Sequence, residues 1–375
     1  MRAKAKKREL KPRESATGQA ERLPRIAISM GDPGGIGPEV ALKALCDPVV
    51  RRACEPLLVG DARFLKNLAR MLHLVVEVET QSGHTPQESR VSATATRHGK
   101  VITLRELKIV PRTITVRNAE RVSRLAPLGK ASKAGGKAAG GAIVEAVRLA
   151  VAGRVDGMVT APVSKESLAL AGYGMMGHTE LIARLTGARR YAMMMTNQDL
   201  RVVFATAHLP LKAVPGAITA AGLVEKFKLA QEYLRLYMGL DPTVIGVCCL
   251  NPHSGEGGRL GREERAVIGP AIDLARKQGI SVEGPYPADS IFQRALARGF
   301  DAIVAMYHDQ GMIPVKIGDH RKVVNITIGI PIVRTSPGHG TAFDIAGEGC
   351  ASEKSMVNAI LECVRIVGRV GLRGR

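Results

Sequence analysis

The chain of 375 residues carries a net charge of +20, with 45% hydrophobic residues and no tryptophan. That length allows two domains or one large one and is enough to bury a sizeable core. No apolar run approaches the roughly 18 residues a membrane helix needs, and the charged N-terminus lacks an apolar signal core, so a membrane span or export is not expected and a cytoplasmic location is.

The positive charge raises nucleic acid as a partner. Residues 1–25 carry +6 of it and residues 97–137 a further +9. Aromatic residues are only 3% of the chain, which leaves few platforms for stacked bases. A basic tail and a basic solvated segment account for the charge, so nucleic-acid binding stays only as the rival reading. The inner segment could also draw in anionic substrates. The six cysteines form no C-x-x-C pair, as expected of reduced cytosolic thiols and not of a disulfide frame or a structural zinc site.

In chain order, residues 1–23 are polar and without periodicity and read as a disordered basic tail. Residues 25–30 read as a first strand, 31–38 as a tight turn and 39–45 as a helix with Pro38 at its first position. The turn is neither a Walker A loop nor a dinucleotide fingerprint, because Val40 stands where Gly or Ala is needed. Ligand loop and plain connector both stay open for it. Residues 56–59 read as a strand, 62–72 as a helix, and 75–125 as short β-like runs between polar turns. Gly135-Gly136 and Gly140-Gly141 are expected to flank the start of a helix over 142–152. A strand over 156–160 leads into Ala161-Pro-Val-Ser-Lys165, which opens another helix. Residues 172–180 read as a loop entering a helix over 180–186. Thr179 is available there as the cap, and His178 sits at the helix N-terminus, where anions are favoured.

Three strand-like runs then each deliver one histidine to a strand end. Residues 201–207 lead to His208, 243–250 to Asn251-Pro-His253, and 302–306 to a polar turn, Tyr307-His308-Asp309-Gln310-Gly311. In open α/β sheets ligands bind just past the carboxyl ends of strands. Taken singly, each histidine reads first as a satisfied structural residue. Three together are enough to hold a divalent metal with an open position, and neutral imidazoles suit zinc, cobalt, nickel or manganese better than calcium. Lys316, Asn325 and Arg334 form a second set, two cations and an amide able to clamp a phosphate or carboxylate. Arg334 is read here as leading into a glycine-rich turn over 331–340. Helices are expected over 222–239, 263–279, 290–298 and 355–367. The alternation of strands and helices implies an α/β fold, a mostly parallel sheet with helices on both faces.

Several segments together carry a resemblance. They are G-D-P-G-G-I-G-P-E at 31–39, T-A-P-V-S-K at 160–165, G-H-T-E at 177–180, A-H-L-P-L at 207–211 and N-P-H-S-G-E-G-G at 251–258. P-A-D at 287–289, A-M-Y-H-D-Q-G at 305–311, V-N-I-T-I-G-I-P at 324–331, R-T-S at 334–336 and H-G-T-A at 339–342 complete the set. In order and spacing the chain resembles the 4-hydroxythreonine-4-phosphate dehydrogenases of pyridoxine biosynthesis over about residues 24–368.

The resemblance implies a two-domain fold like isocitrate and isopropylmalate dehydrogenases, with the active site in the interdomain cleft of a homodimer. An outer α/β domain would span 24–155 and 325–375. A central one over 156–324 would carry the metal site and the dimer contacts. It implies NAD, or NADP, as hydride acceptor, bound without the usual fingerprint, and one divalent metal, zinc, cobalt, manganese or magnesium. The metal ligands would be His208, His253 and His308, shared between subunits, with Lys316 also in the catalytic set. The phosphorylated substrate would contact His178, Thr179, Lys316, Asn325 and Arg334. Two departures flank that clamp. Gly338 stands where Asp is usual, and Asp319-His-Arg-Lys-Val replaces a commoner glycine-containing loop. Relatives that oxidise phosphorylated four-carbon sugar acids, D-erythronate or D-threonate 4-phosphate, are therefore the alternative. The family also includes a cis-dihydrodiol dehydrogenase branch, against which His178-Thr179 argues.

Overall fold

A computed structural model describes residues 22–81, 94–97, 100–103, 112–122, 126–174 and 177–371. The tail read over residues 1–23 lies outside these apart from Arg22 and Leu23. The strands are β1 (Arg25–Ser29), β2 (Glu55–Gly60), β3 (Val76–Thr80), β4 (Thr94–Arg97), β5 (Lys100–Thr103), β6 (Arg112–Asn118) and β7 (Gly157–Thr160). They continue with β8 (Ala192–Thr196), β9 (Arg201–Phe204), β10 (Ile245–Cys248), β11 (Val282–Tyr286), β12 (Ala302–Ala305), β13 (Val324–Ile328) and β14 (Arg334–Pro337).

All but the β4–β5 hairpin join one twelve-stranded sheet in the order β11-β10-β12-β9-β8-β13-β14-β7-β1-β2-β6-β3. Neighbours pair in parallel except β8 with β9, β8 with β13, and β13 with β14. The fold is thus α/β with a mostly parallel sheet. Ile26, Ala27 and Ile28 in β1, Met158 and Val159 in β7 and Val304 and Ala305 in β12 have no exposed surface. Such strands are buried on both faces, which is why they read as continuous apolar runs instead of alternating ones.

Four expectations are corrected. Helix Lys133–Val151 begins nine residues before the expected 142, with Ser132 as its cap, accepting from the Gly135 amide at 3.0 Å. Its glycines lie inside the helix, each at a cost of about 1 kcal/mol relative to alanine. Packing requires them. A Cβ on Gly136 would lie 1.7 Å from the Ser167 carbonyl oxygen, and one on Gly140 would lie 2.1 Å from the Tyr173 ring. Second, Thr179 does not cap: helix His178–Thr186 starts two residues earlier than expected, with Gly177 as the capping residue and no side-chain cap bond. Third, His308 opens a helix, His308–Lys316, and not a polar turn. Fourth, the expected glycine-rich turn contains strand β14, which begins at Arg334.

Candidate active site

The carboxyl ends of β9 and β12 are stitched together by Thr206, whose hydroxyl and amide both donate to the Met306 carbonyl, at 2.7 and 3.2 Å. Each strand then turns sharply. His208 takes a left-handed backbone, φ 53°, a strained state for a residue with a Cβ. After β12, buried Gln310 accepts from the Met306 amide at 2.7 Å and donates to the Cys249 carbonyl at 2.8 Å, tying the β12 end to the β10 end. Gly311 lets the new helix lie on β9, since a Cβ there would be 2.6 Å from the Phe204 ring. The H-D-Q-G run thus fixes where His308 points. The rings of His208 and His308 face each other with centroids 5.6 Å apart. Asp309 holds the far side of His308, Nδ1 to Oδ1 at 2.6 Å.

These two imidazoles line a cavity of about 330 Å³ together with His178, Thr179 and Asn325. Burial holds His178 well below its ordinary pKa, and the Arg334 charge beside it adds to the shift. Burial also lowers His208, with Lys165 and His308 adding. Both rings are therefore neutral near pH 7, the form that ligates metals. The Nδ1 of His178 and the Oδ1 of Asn325 are buried without a hydrogen-bond partner. Helix His178–Thr186 presents its uncapped N-terminus to this cavity. Its first amides have no partner within the helix and suit an anion.

Arg334 lies beneath. Its side chain is fully buried in β14, not held out toward the cleft from a turn as expected. The guanidinium donates to Thr160 Oγ1 at 2.6 Å, Thr327 Oγ1 at 2.9 Å and Thr179 Oγ1 at 3.4 Å. Among the described residues it has no carboxylate ion pair, and burial pushes its pKa down to about 9. A buried cation held by hydroxyl dipoles, with the cavity-lining Glu180 carboxylate near it but not ion-paired to it, leaves positive potential beneath the cavity.

Two expected residues stand apart from this cavity. Lys316 is exposed at the end of its helix. His253 projects from a turn in which His253, Ser254, Gly255, Glu256 and Gly257 are all left-handed. It is hydrogen-bonded to Glu256 at 2.9 Å, its side chain is 70% exposed, and that bond raises its pKa. Among the described residues, no group of three metal-ligating side chains forms within the single chain. The G-D-P-G-G-I-G-P turn is buried and lines no part of the cavity. Its Asp32 accepts from the Gly34 amide at 2.9 Å.

The family model of the pyridoxal phosphate biosynthetic protein PdxA matches residues 52–363. The chain belongs to the PdxA family. It is 40% identical over 351 residues to a 4-hydroxythreonine-4-phosphate dehydrogenase of Geobacter metallireducens, covering 93% of this chain and 98% of that one. A D-threonate 4-phosphate dehydrogenase of Cupriavidus necator is 39% identical over 348 residues, covering 92% and 98%. The crystal structure of 4-hydroxythreonine-4-phosphate dehydrogenase from Klebsiella pneumoniae superposes with a TM-score of 0.77 at 35% identity, covering 92% of this chain and 99% of that one. As a PdxA family member the chain is an oxidoreductase.

The sequence reading did not single out Lys165 or His339, which also line the cavity. Lys165 lies in T-A-P-V-S-K, directly after β7, so its place past a strand end was the available signal. His339 has a buried Nε2 without a partner, and burial lowers its pKa. The family departure at Gly338 has a local cause: a Cβ there would lie 2.7 Å from Val323 Cγ1. In this chain Val323 occupies the space an aspartate would need.

Proposed function

We propose that this enzyme oxidises 4-phosphooxy-L-threonine at its C3 hydroxyl, with NAD, or NADP, accepting the hydride. The resulting 3-oxo acid then loses CO₂ to give 3-amino-2-oxopropyl phosphate, in pyridoxal phosphate biosynthesis. The observation that carries the reading is the buried Arg334 guanidinium, unpaired with any carboxylate among the described residues, under the uncapped helix end at His178 and Thr179. That floor suits a dianionic phosphate. His178 and Thr179 would contact it through ring nitrogen, hydroxyl and the first helix amides, and Asn325 through its amide. Arg334 holds Thr179 in place and supplies charge from below. Lys316, outside the cavity but near enough for its charge to act on His339, would complete the set from the end of its helix.

His208 and His308 would hold one divalent cation, zinc, cobalt, manganese or magnesium. Their converging imidazoles fit such a group, and His253, displayed outward on its left-handed turn, would supply the third nitrogen to a second copy of the chain. When bound, the cation supplies Lewis-acid stabilisation of negative charge on a substrate oxygen. This makes the working unit a homodimer, with a central domain over 156–324 carrying the shared site and an outer one over 24–155 and 325–375. A cytoplasmic location suits the free thiols. Among the described residues no helix is long and apolar enough to cross a membrane.

A second reading is dehydrogenation of D-threonate or D-erythronate 4-phosphate. The near-equal identity to the Cupriavidus necator relative and the Gly338 departure favour it. Steady-state NADH formation on each phosphorylated acid in turn separates the two.

A further inference from the structure

A second pocket, of about 380 Å³, lies behind the catalytic cavity on the opposite face of the same sheet. The register of β8 and β13 shows this. Met195 pairs with Asn325 and both line the catalytic cavity, whereas Thr196 pairs with Val324 one step along and both line the second pocket. Successive side chains on a strand point to opposite faces. The two pockets are therefore set back to back across one rung of the ladder.

Four cations, Arg201, Lys322, Arg365 and Arg369, line the second pocket against one carboxylate, Glu362. That carboxylate is already committed to Arg365, with Nε to Oε2 at 2.7 Å and a second bond between Nη2 and Oε1. Arg369 donates to the Met238 carbonyl. Arg201 is part-buried and donates to the Asp301 carbonyl at 3.1 Å. Neither Arg201 nor Lys322 has an ion pair with a carboxylate among the described residues. Burial holds Arg201 below the ordinary arginine pKa and Arg365 adds to the shift, while Tyr233, Glu362 and Asp301 pull the other way. Four cations against one carboxylate leave an excess of positive charge that an anion would offset, and a phosphate matches the guanidinium fork geometry. The Asn358 amide and Thr196 hydroxyl add neutral polar groups, and no aromatic ring lines the pocket. A base or other planar ring would have nothing to stack on there.

We propose that this pocket is a second anion site that binds a small phosphate-bearing molecule without an aromatic ring. The inference does not depend on which acid the catalytic cavity oxidises. The test is calorimetric titration of the full-length protein with inorganic phosphate at constant ionic strength. Wild type is compared with the double variant Lys322→Gln/Arg369→Gln and with Arg63→Gln/Arg70→Gln, which removes equal charge from an exposed helix elsewhere. The double variant is expected to bind one phosphate equivalent fewer per chain than wild type, or to bind it at least about tenfold more weakly. Its NADH-forming activity should stay within about twofold and its melting temperature without phosphate should be unchanged. The control pair should keep the equivalent. Equal stoichiometry and affinity in wild type and Lys322→Gln/Arg369→Gln would overturn the proposal. So would an equal loss in the control pair, which would assign the binding to overall charge.

Discussion

Arg334 and Thr179 are linked across 155 residues of chain by a 3.4 Å hydrogen bond that joins the buried floor of the cavity to its lining. Arg334→Lys keeps a charge but cannot reach Thr160, Thr327 and Thr179 at once. Hydrogen bonds to charged groups contribute roughly 1.5–3 kcal/mol each. We expect a lower melting temperature and a ten- to hundredfold fall in kcat/KM for a phosphorylated substrate, with metal content unchanged. Unchanged stability would show that the three hydroxyls do not hold this guanidinium.

The buried imidazoles fix the sign of a pH dependence. His178 is held well below the ordinary histidine pKa of 6.5 by burial and by Arg334. Above about pH 6.5 neither the folded nor the unfolded chain binds a proton at this ring. Below it the unfolded chain takes one and the folded chain does not, so stability falls as pH drops, until the folded pKa is reached. His208 and His339, both also lowered by burial, act in the same direction, whereas the exposed His253, raised by its bond to Glu256, acts against these three. Urea unfolding of chelated protein should therefore give a smaller unfolding free energy at about pH 5.5 than at about pH 7. His178→Gln should remove part of that slope. A slope identical in the variant would contradict the buried neutral ring.

Much of the fold was legible because parallel strands buried on both faces are continuous apolar runs, as at 302–306. The strand ends carrying His208 and His308 followed from the same pattern. What the sequence hid was set by packing. Gly136 and Gly140 looked like a boundary, yet they sit inside a helix because a neighbouring backbone and the Tyr173 ring press on them. Arg334 read as part of a phosphate or carboxylate clamp beside a glycine-rich turn, and its full burial was hidden because arginines are seldom fully buried. Its three threonine partners lie at 160, 179 and 327, too scattered to be recognised as one cage. His253 belonged to the motif set, but the outward, left-handed turn that separates it from the other two histidines left no local signal.

That separation makes a complementation prediction. His208→Ala and His253→Ala should each lose nearly all activity as pure proteins. If one site takes His208 and His308 from one chain and His253 from another, refolding an equal mixture should restore activity, since a mixed dimer contains one complete site. The restored fraction should approach about one quarter of wild type, for half the dimers mixed and one of two sites intact. No recovery above the separate variants would mean that the three histidines do not meet across a subunit boundary.

The basic segment at the N-terminus should be dispensable. Among the described residues the first fully buried one is Ile26, and the Arg22–Asp156 ion pair at 3.1 Å is largely exposed, a kind of pair that adds about 0–1 kcal/mol. Removing residues 1–21 should leave kcat/KM and melting temperature nearly unchanged. A large fall in either would show that the segment belongs to the fold or the site.

The central claim is that this PdxA family member is a metal-assisted dehydrogenase whose cavity floor selects a phosphate. The most direct measurement is NADH formation by zinc- or manganese-loaded enzyme on 4-phosphooxy-L-threonine, with 4-hydroxy-L-threonine and D-threonate 4-phosphate run beside it. The account predicts turnover of a phosphorylated acid with kcat/KM at least about a hundredfold above its unphosphorylated counterpart, two charge-assisted hydrogen bonds at about 1.4 kcal/mol per tenfold being sufficient. Equal turnover with and without the phosphate, or none on any phosphorylated acid with metal and NAD or NADP present, would contradict it.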